Sequence, residues 1–154
     1  MSIHTLPPQL LNRFRPKLVA FIKRHGDRRI TKEAIERLAG LTEEQACEPD
    51  TLVLIAVEDH GWVGVSVVIE SGRGCALVVV RPEYRGRRIG SSLFRACKER
   101  LPAFTCAVAA DNIASMTMCF RAGLVATELS AGPTGKPTLR FQSDVNKPAM
   151  TESR

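Results

Sequence analysis

Arg81, Arg85, Arg87 and Arg88 stand with Gly86 and Gly90 between an apolar run, Cys75 to Val80, and an amphipathic segment that begins at Ile89. A joint of this kind is suited to holding phosphate. A continuous apolar run is the pattern of a strand covered on both faces. Beyond it Ile89, Leu93, Cys97 and Leu101 recur every four residues, with Arg95, Lys98, Glu99 and Arg100 on the remaining face, which is the pattern of a helix. The first turn of that helix leaves backbone N–H groups unpaired at the positive end of its dipole, and the two glycines let an anion approach the main chain. Without the strand and helix on either side, the arginines would read as a solvated basic loop or a nucleic-acid patch.

A second group of reactive residues lies between Asn112 and Leu124. At helical spacing Asn112, Ser115, Cys119 and Ala122 share one face, while Ile113, Met116, Thr117 and Phe120 share another. The second, more apolar face is predicted to be the core. Gly123 is placed to end the helix. Asn112 is placed to cap its start, a role that competes with any contact to a ligand. Cys119 has a reference pKa of about 8.5 and could donate a proton, or it could be a small buried side chain. The single tyrosine, Tyr84, is read as a packing residue, His60 as exposed, and Trp62 as core or pocket wall.

These two segments resemble the GNAT superfamily of acyl-CoA-dependent N-acyltransferases. Its pyrophosphate loop, Gln/Arg-x-x-Gly-x-Gly/Ala, is similar to Arg85-Gly86-Arg87-Arg88-Ile89-Gly90 at the first and last positions. Arg88 departs from it where the family has glycine; an ordinary helical backbone there would tolerate arginine and add a cation. The second family segment, Asn-x-x-Ser/Ala-x-x-x-Tyr-x-x-x-Gly-Phe, is similar to Asn112 through Leu124, with Cys119 in place of the tyrosine. The resemblance implies an α/β fold, a central mixed sheet of six to seven strands flanked by helices, in which two parallel strands splay to form the cofactor cleft. It implies acetyl-CoA as acyl donor, no metal, and an amine acceptor that attacks the thioester directly in a ternary complex. Backbone groups of Val78, Val79 and Val80 would meet pantetheine, Arg85, Gly86, Arg87, Arg88, Ile89, Gly90 and Ser91 the pyrophosphate, and Asn112 and Ser115 would complete the cofactor contacts. Cys119 and Asn112 are the catalytic candidates the resemblance offers. No carboxylate lies within Cys75 to Val80, so Glu58, Glu70, Asp50 and a water relay all stand as candidate bases. Two other readings stay open: a CoA-binding module without turnover, motivated by the missing tyrosine, and an acetyltransferase for a nucleic-acid-linked amine.

Bulk properties agree. The chain has 154 residues, a net charge of +6 and 25% charged residues, which fits one domain that favours anionic partners. A plain nucleic-acid surface is disfavoured, because Arg13, Arg15, Lys17, Lys23 and Arg24 are explained as the polar face of a core helix. Five cysteines without a Cys-x-x-Cys pair suggest neither a zinc site nor a disulfide framework, and are read as reduced thiols of a cytoplasmic protein. No apolar run is long enough to cross a bilayer, so no membrane partner is expected. A homodimer stays open.

The remaining elements must position these residues. Pro16 is expected to kink or split a helix over Gln9 to His25. Thr31 caps a second helix. Strands follow over Thr51 to Val57 and Trp62 to Ile69, joined by a tight Asp59-His60-Gly61 turn. After the phosphate-loop helix come strands at Phe104 to Ala109, Leu124 to Leu129 and Thr138 to Gln142. Met1 to Leu6 is a weak strand candidate. The domain is placed at 1–142, with 143–154 as a flexible tail; the resemblance to the GNAT superfamily implies that the acceptor site lies at the first two helices and the Ser130 to Pro137 loop, while the acceptor amine itself is not legible in the sequence.

Overall fold

The computed structural model describes residues 1–132 and 135–143. The predicted tail lies outside them from residue 144 on, as do two residues of the 130–137 loop. Four strands, β1 (Ser2–Thr5), β2 (Leu52–Glu58), β3 (Gly61–Ile69) and β4 (Cys75–Val80), form one antiparallel sheet in that order. A second antiparallel sheet has the order β5 (Thr105–Ala109), β7 (Pro137–Gln142), β6 (Val125–Ala131). The helices are α1 (Leu11–His25), α2 (Lys32–Ala39), α3 (Glu43–Ala46), α4 (Ile89–Arg100) and α5 (Ile113–Arg121).

The first sheet is covered on both faces, which is why its strands read as unbroken apolar runs. Val53, Ile55, Val65, Val67, Leu77 and Val79 face Leu18, Phe21 and Ile22 of α1 and Leu38 of α2. Leu54, Ala56, Val63 and Val68 face Ile89, Leu93, Phe94 and Cys97 of α4 on the other side. Ser66 is buried within this sheet, and its hydroxyl donates to the Leu77 carbonyl at 3.1 Å, so its polar group is satisfied.

Four details differ from the sequence reading. Pro16 does not split α1 into two short helices: one helix runs through it. Pro16 sits in the second turn and removes only its own bond to Asn12, while Leu11, Leu18, Phe21 and Ile22 are buried on either side of it. Met1 to Leu6 does contain a strand, because Ser2–Thr5 pairs with Leu54–Val57 at the sheet edge. The face of α5 assigned to the core is only partly turned inward: Met116 packs against the core and Thr117 is half-buried. Ile113 and Phe120 are 64% and 56% exposed, whereas Cys119 and Ala122 are fully buried. Met116 and Met118 pack against the same core as Cys119 and Ala122, Met118 against Gly90 of α4 and Cys119 against Cys106 of β5. Finally, the sheet is divided: β4 and β5 touch, but no ladder joins them among the described residues.

Several local expectations hold. Thr31 Oγ1 accepts the Ala34 N–H at 3.1 Å. Asp59 and His60, both at positive φ, turn the β2–β3 hairpin. Gly123, at φ +87°, ends α5 with its own N–H on Phe120 and the Leu124 N–H on Cys119, a Schellman closure.

Candidate functional site

The open edge of β4 is the starting point. Arg81 donates its N–H to the Val63 carbonyl at 2.9 Å, and the register pairs Val79 with Val65 and Val80 with Gly64. Alternation then turns the main-chain groups of Val79 towards β3 and those of Val78 and Val80 outward, on the side where β5 leaves them unpaired. Val79 therefore lacks free backbone groups for a ligand, unlike its two neighbours. The Val80 carbonyl accepts Arg85 Nε at 3.1 Å, which leaves the Val80 N–H and both groups of Val78 uncommitted.

The strand leads through a short 3-10 turn, Pro82–Tyr84, to the start of α4. Thr31, Thr42 and Asn112 cap α2, α3 and α5 with a side-chain oxygen, whereas Arg88 at the head of α4 makes no such bond. The first-turn N–H groups of Ile89, Gly90 and Ser91 are thus available to an external acceptor. Gly86 has φ +81°, and a Cβ there would meet nothing within 4 Å, so its face of the loop is open. Ile89 and Ser91 are buried, and they offer main chain rather than side chain.

Three of the four arginines are already committed. Arg85 bridges two carbonyls, Val80 through Nε and His25 through Nη2 at 2.8 Å, tying the end of β4 to the end of α1. Arg87 approaches Glu58 at 3.4 Å, and its guanidinium lies 4.9 Å from the centre of the Tyr84 ring. Arg81 pairs with Glu83 at 2.7 Å, over the same ring at 5.6 Å. Tyr84 donates to Asp59 at 2.9 Å, and that bond holds the phenol above its ordinary pKa. Only the Arg88 side chain has no hydrogen bond or ion pair among the described residues. Its backbone is left-handed, with φ 63° and ψ 22°, and not helical as the sequence reading supposed. The glycine of the family loop suits this position because a Cβ is strained there.

Arg88→Gly is accordingly expected to raise the melting temperature by about 1–2 °C through strain relief. It should also weaken acetyl-CoA roughly tenfold, the worth of one charge-assisted contact. Thermal unfolding and calorimetry read the two effects separately.

Gly90 does not serve as an open approach to the main chain. A Cβ there would lie 2.8 Å from Met118 Sδ, so this glycine lets α4 and α5 pack together. Asn112 caps α5 through the Ser115 N–H at 3.3 Å, the plain role foreseen for it. Cys119 is fully buried, with Sγ 3.7 Å from Cys106 Sγ on β5. That contact and burial push the Cys106 thiol well above the usual thiol range. The face shared with Asn112 thus carries Cys119 into the core. Cys119→Ser is expected to keep turnover within about threefold of the parent, against the roughly 10²-fold loss of a positioned acid.

The three candidate carboxylate bases are engaged elsewhere. Glu58 meets Arg87 and the N-terminal ammonium. Glu70 and Asp50 pair with Arg37 and Arg73 and line a cavity of about 570 Å³ beside the start of β4, the end remote from α4's first turn. Sequence reasoning missed two features at the near end. His25 is half-buried, edge-on to Phe21 at 4.7 Å. Burial and the Arg24, Arg81 and Arg85 charges hold its imidazole below the ordinary value. Asp111, at the end of β5, receives Lys136 at 3.2 Å and Arg29 at 3.6 Å, and its carboxyl is held below the usual range, chiefly by Lys136. The isolated Asp27-x-Arg29 turn and the Asp111-Asn112 pair carry no signal of this convergence, which depends on three separate loops meeting. Among the described residues, no group of three or more His, Cys, Asp or Glu is placed to hold a metal ion. No helix among them is long and apolar enough to cross a membrane.

Comparison with known proteins agrees with this geometry. Residues 49–120 match the family model described as Acetyltransferase (GNAT) domain. No curated protein sequence matches the chain. Among solved structures, an acetyltransferase of the GNAT family from Streptococcus pneumoniae superimposes with a TM-score of 0.63 at 18% identity, covering 92% of this chain and 97% of that one. The ribosomal-protein-alanine N-acetyltransferase of Brucella melitensis gives 0.62 at 19% identity over 93% and 99% of the two chains. The Salmonella typhimurium protein yncA, in a structure with its cofactor acetyl-CoA, gives 0.62 at 16% identity over 96% and 95%. At these identities the likeness is one of fold. Residues 49–120 thus match the GNAT acetyltransferase domain model, and the fold over most of the chain is the one these solved acetyltransferases have.

Proposed function

We propose that the protein is an acetyl-CoA-dependent N-acetyltransferase that passes the acetyl group to an amine by direct attack in a ternary complex. The observation that carries this reading is the continuous run of unpaired main-chain groups, from Val78 and Val80 on the β4 edge to the uncapped first turn of α4. Pantetheine amides match the strand edge. A pyrophosphate matches the helix start, where the dipole and three N–H groups favour negative charge. With the thioester lying along β4, the Val80 N–H is the donor for the oxyanion that forms as the amine attacks. The gap between the sheets is the place where both reactants would be held within attack distance.

Cys119 supplies no proton in this scheme. The neutral amine attacks the thioester carbonyl, the C–S bond breaks as the oxyanion collapses, and the single proton the nitrogen gives up passes to the departing coenzyme A sulfur, directly or through water, so that amide and thiol result. Acetyl-CoA titration by calorimetry, followed by a thiol-release assay across small amines, amino acids and peptide N-termini, tests the reading. Binding with turnover of at least one amine is expected. Binding without thiol release from any of them would favour the non-catalytic module instead, and no binding would end the assignment.

A further inference from the structure

Six large apolar side chains are exposed among the described residues, and four of them, Ile113, Phe120, Val125 and Leu129, fall on α5 and β6. Charge is scarce in the same stretch. From Asn112 to Ala131 only Arg121 and Glu128 are charged, in a chain of which 25% is charged.

β6 is the edge of the second sheet, paired only with β7 among the described residues. The Gly132 N–H reaches the Lys136 carbonyl at 2.7 Å, so alternation turns the main-chain groups of Ser130 and Glu128 towards β7 and those of Leu129 and Ala131 outward. Open edges are ordinarily blunted by charge, proline or a covering segment. A bulge between Ala126 and Glu128 disturbs the first half of this strand, but Leu129, Ser130 and Ala131 beyond it carry neither charge nor proline.

The exposed apolar side chains gather on one face. Leu129 pairs with Leu139, Leu139 with Val108, and Phe141 with Cys106, and Cys106 touches Cys119 of α5. Leu129 therefore lies on the face of the sheet that α5 covers, beside the helix and not beneath it, since it is 65% exposed. Phe120 reaches from α5 to the Phe141 ring at 5.0 Å, and Ile113, two turns away, shares its flank of the helix. Ile113, Phe120 and Leu129 thus form an apolar strip along an open strand edge.

We propose that this strip is the contact face of a homodimer, in which β6 pairs antiparallel with β6 of a second copy and the α5 flanks pack together across the same two-fold axis. Charge selects the occupant. Each chain carries +6, so two copies repel over most of their surface, whereas Arg121 and Glu128 leave this strip with no net charge. The edge also fits itself. Setting Ser130 against Ser130 of the second copy places Leu129 opposite Ala131 and Ala131 opposite Leu129, which uses every outward main-chain group beyond the bulge. The two Glu128 side chains then do not face each other, and the two Leu129 side chains become diagonal neighbours. One helix flank and three strand residues a side make a small interface, so association in the micromolar range is expected.

Sedimentation equilibrium on the full chain without ligand tests the proposal, and it does so independently of the acetyltransferase reading. The mass should rise with concentration from 16.9 kDa towards twice that value. Leu129→Lys and Leu129→Glu should each weaken association about tenfold or more, because like charges then meet across the strands, with the melting temperature little changed. Mixed in equal amounts, the two variants should recover most of the parent's association, as only a strip that meets its own copy requires. Leu10→Lys, at an exposed apolar residue elsewhere on the surface, should associate as the parent does. Variants at Leu129 that still associate like the parent, or a mixture no tighter than its separate components, overturn the proposal. A parent that stays monomeric overturns it as well, and a chain ending at Ser143 then identifies the other occupant. If that shorter chain dimerises, residues 144–154 cover the strip; if it too is monomeric, the strip belongs to a different protein.

Discussion

Gly72→Ala is expected to cost more than about 3 kcal/mol of stability, because the added carbon has nowhere to go. Gly72 sits at φ +104°, and a Cβ on it would lie 1.7 Å from the Thr105 carbonyl oxygen and 2.8 Å from the Thr105 carbonyl carbon. Both atoms are backbone, at the start of β5, so no side-chain rotation relieves the clash. Either the turn before β4 or the whole second sheet must move. The drop in melting temperature should be on the order of 6–12 °C for a chain of this size. Urea unfolding measures it, and a loss below about 1 kcal/mol would show that the two sheets are not sealed at this point. The consequence for function is direct, since the closed end sets the angle at which β4 and β5 diverge. A variant that survives at low temperature should bind acetyl-CoA more weakly although no ligand-facing residue has changed.

Gly86→Val should act in the opposite way, with a small effect on folding and a large one on binding. A Cβ at Gly86 would meet nothing within 4 Å, so the cost to stability is only the strain of a β-branched residue at φ +81°, roughly 1–2 kcal/mol. The same open face is where an anion would approach the loop on its way to the first turn of α4. Acetyl-CoA affinity is expected to fall at least tenfold, while a variant at Gly90 should behave differently, with loss of α4–α5 packing as its main effect. Calorimetry on Gly86→Val with thermal unfolding alongside separates strain from ligand loss. Unchanged affinity in a folded Gly86→Val protein would remove the phosphate cradle from this loop.

The local devices were written in the sequence. A strand that ends at a proline, a glycine at a loop, an apolar repeat of four and a threonine before a helix each depend on neighbours a few residues away, and each formed where its pattern placed it. The strand-loop-helix joint at residues 80–89 was legible for that reason, and so were the caps at Thr31 and Asn112 and the closure at Gly123. Tertiary structure decided which side chains face what. The apolar residues Ile113 and Phe120 lie on the outside of α5 and Cys119 on the inside, because the helix meets α4 and β5 along the face that carries Met118, Cys119 and Ala122. Arg85 and Arg87 resemble free cations in the sequence, but each is bound by a carbonyl or carboxylate brought to it from a distant segment: His25 for Arg85, Glu58 for Arg87. Arg29 and Asp111 are 82 positions apart by their numbering and carry no shared pattern. Their meeting, like the choice between a paired and an open β4 edge, is a property of the chain closed on itself, since long-range contact depends on the whole core and not on any window of residues within it.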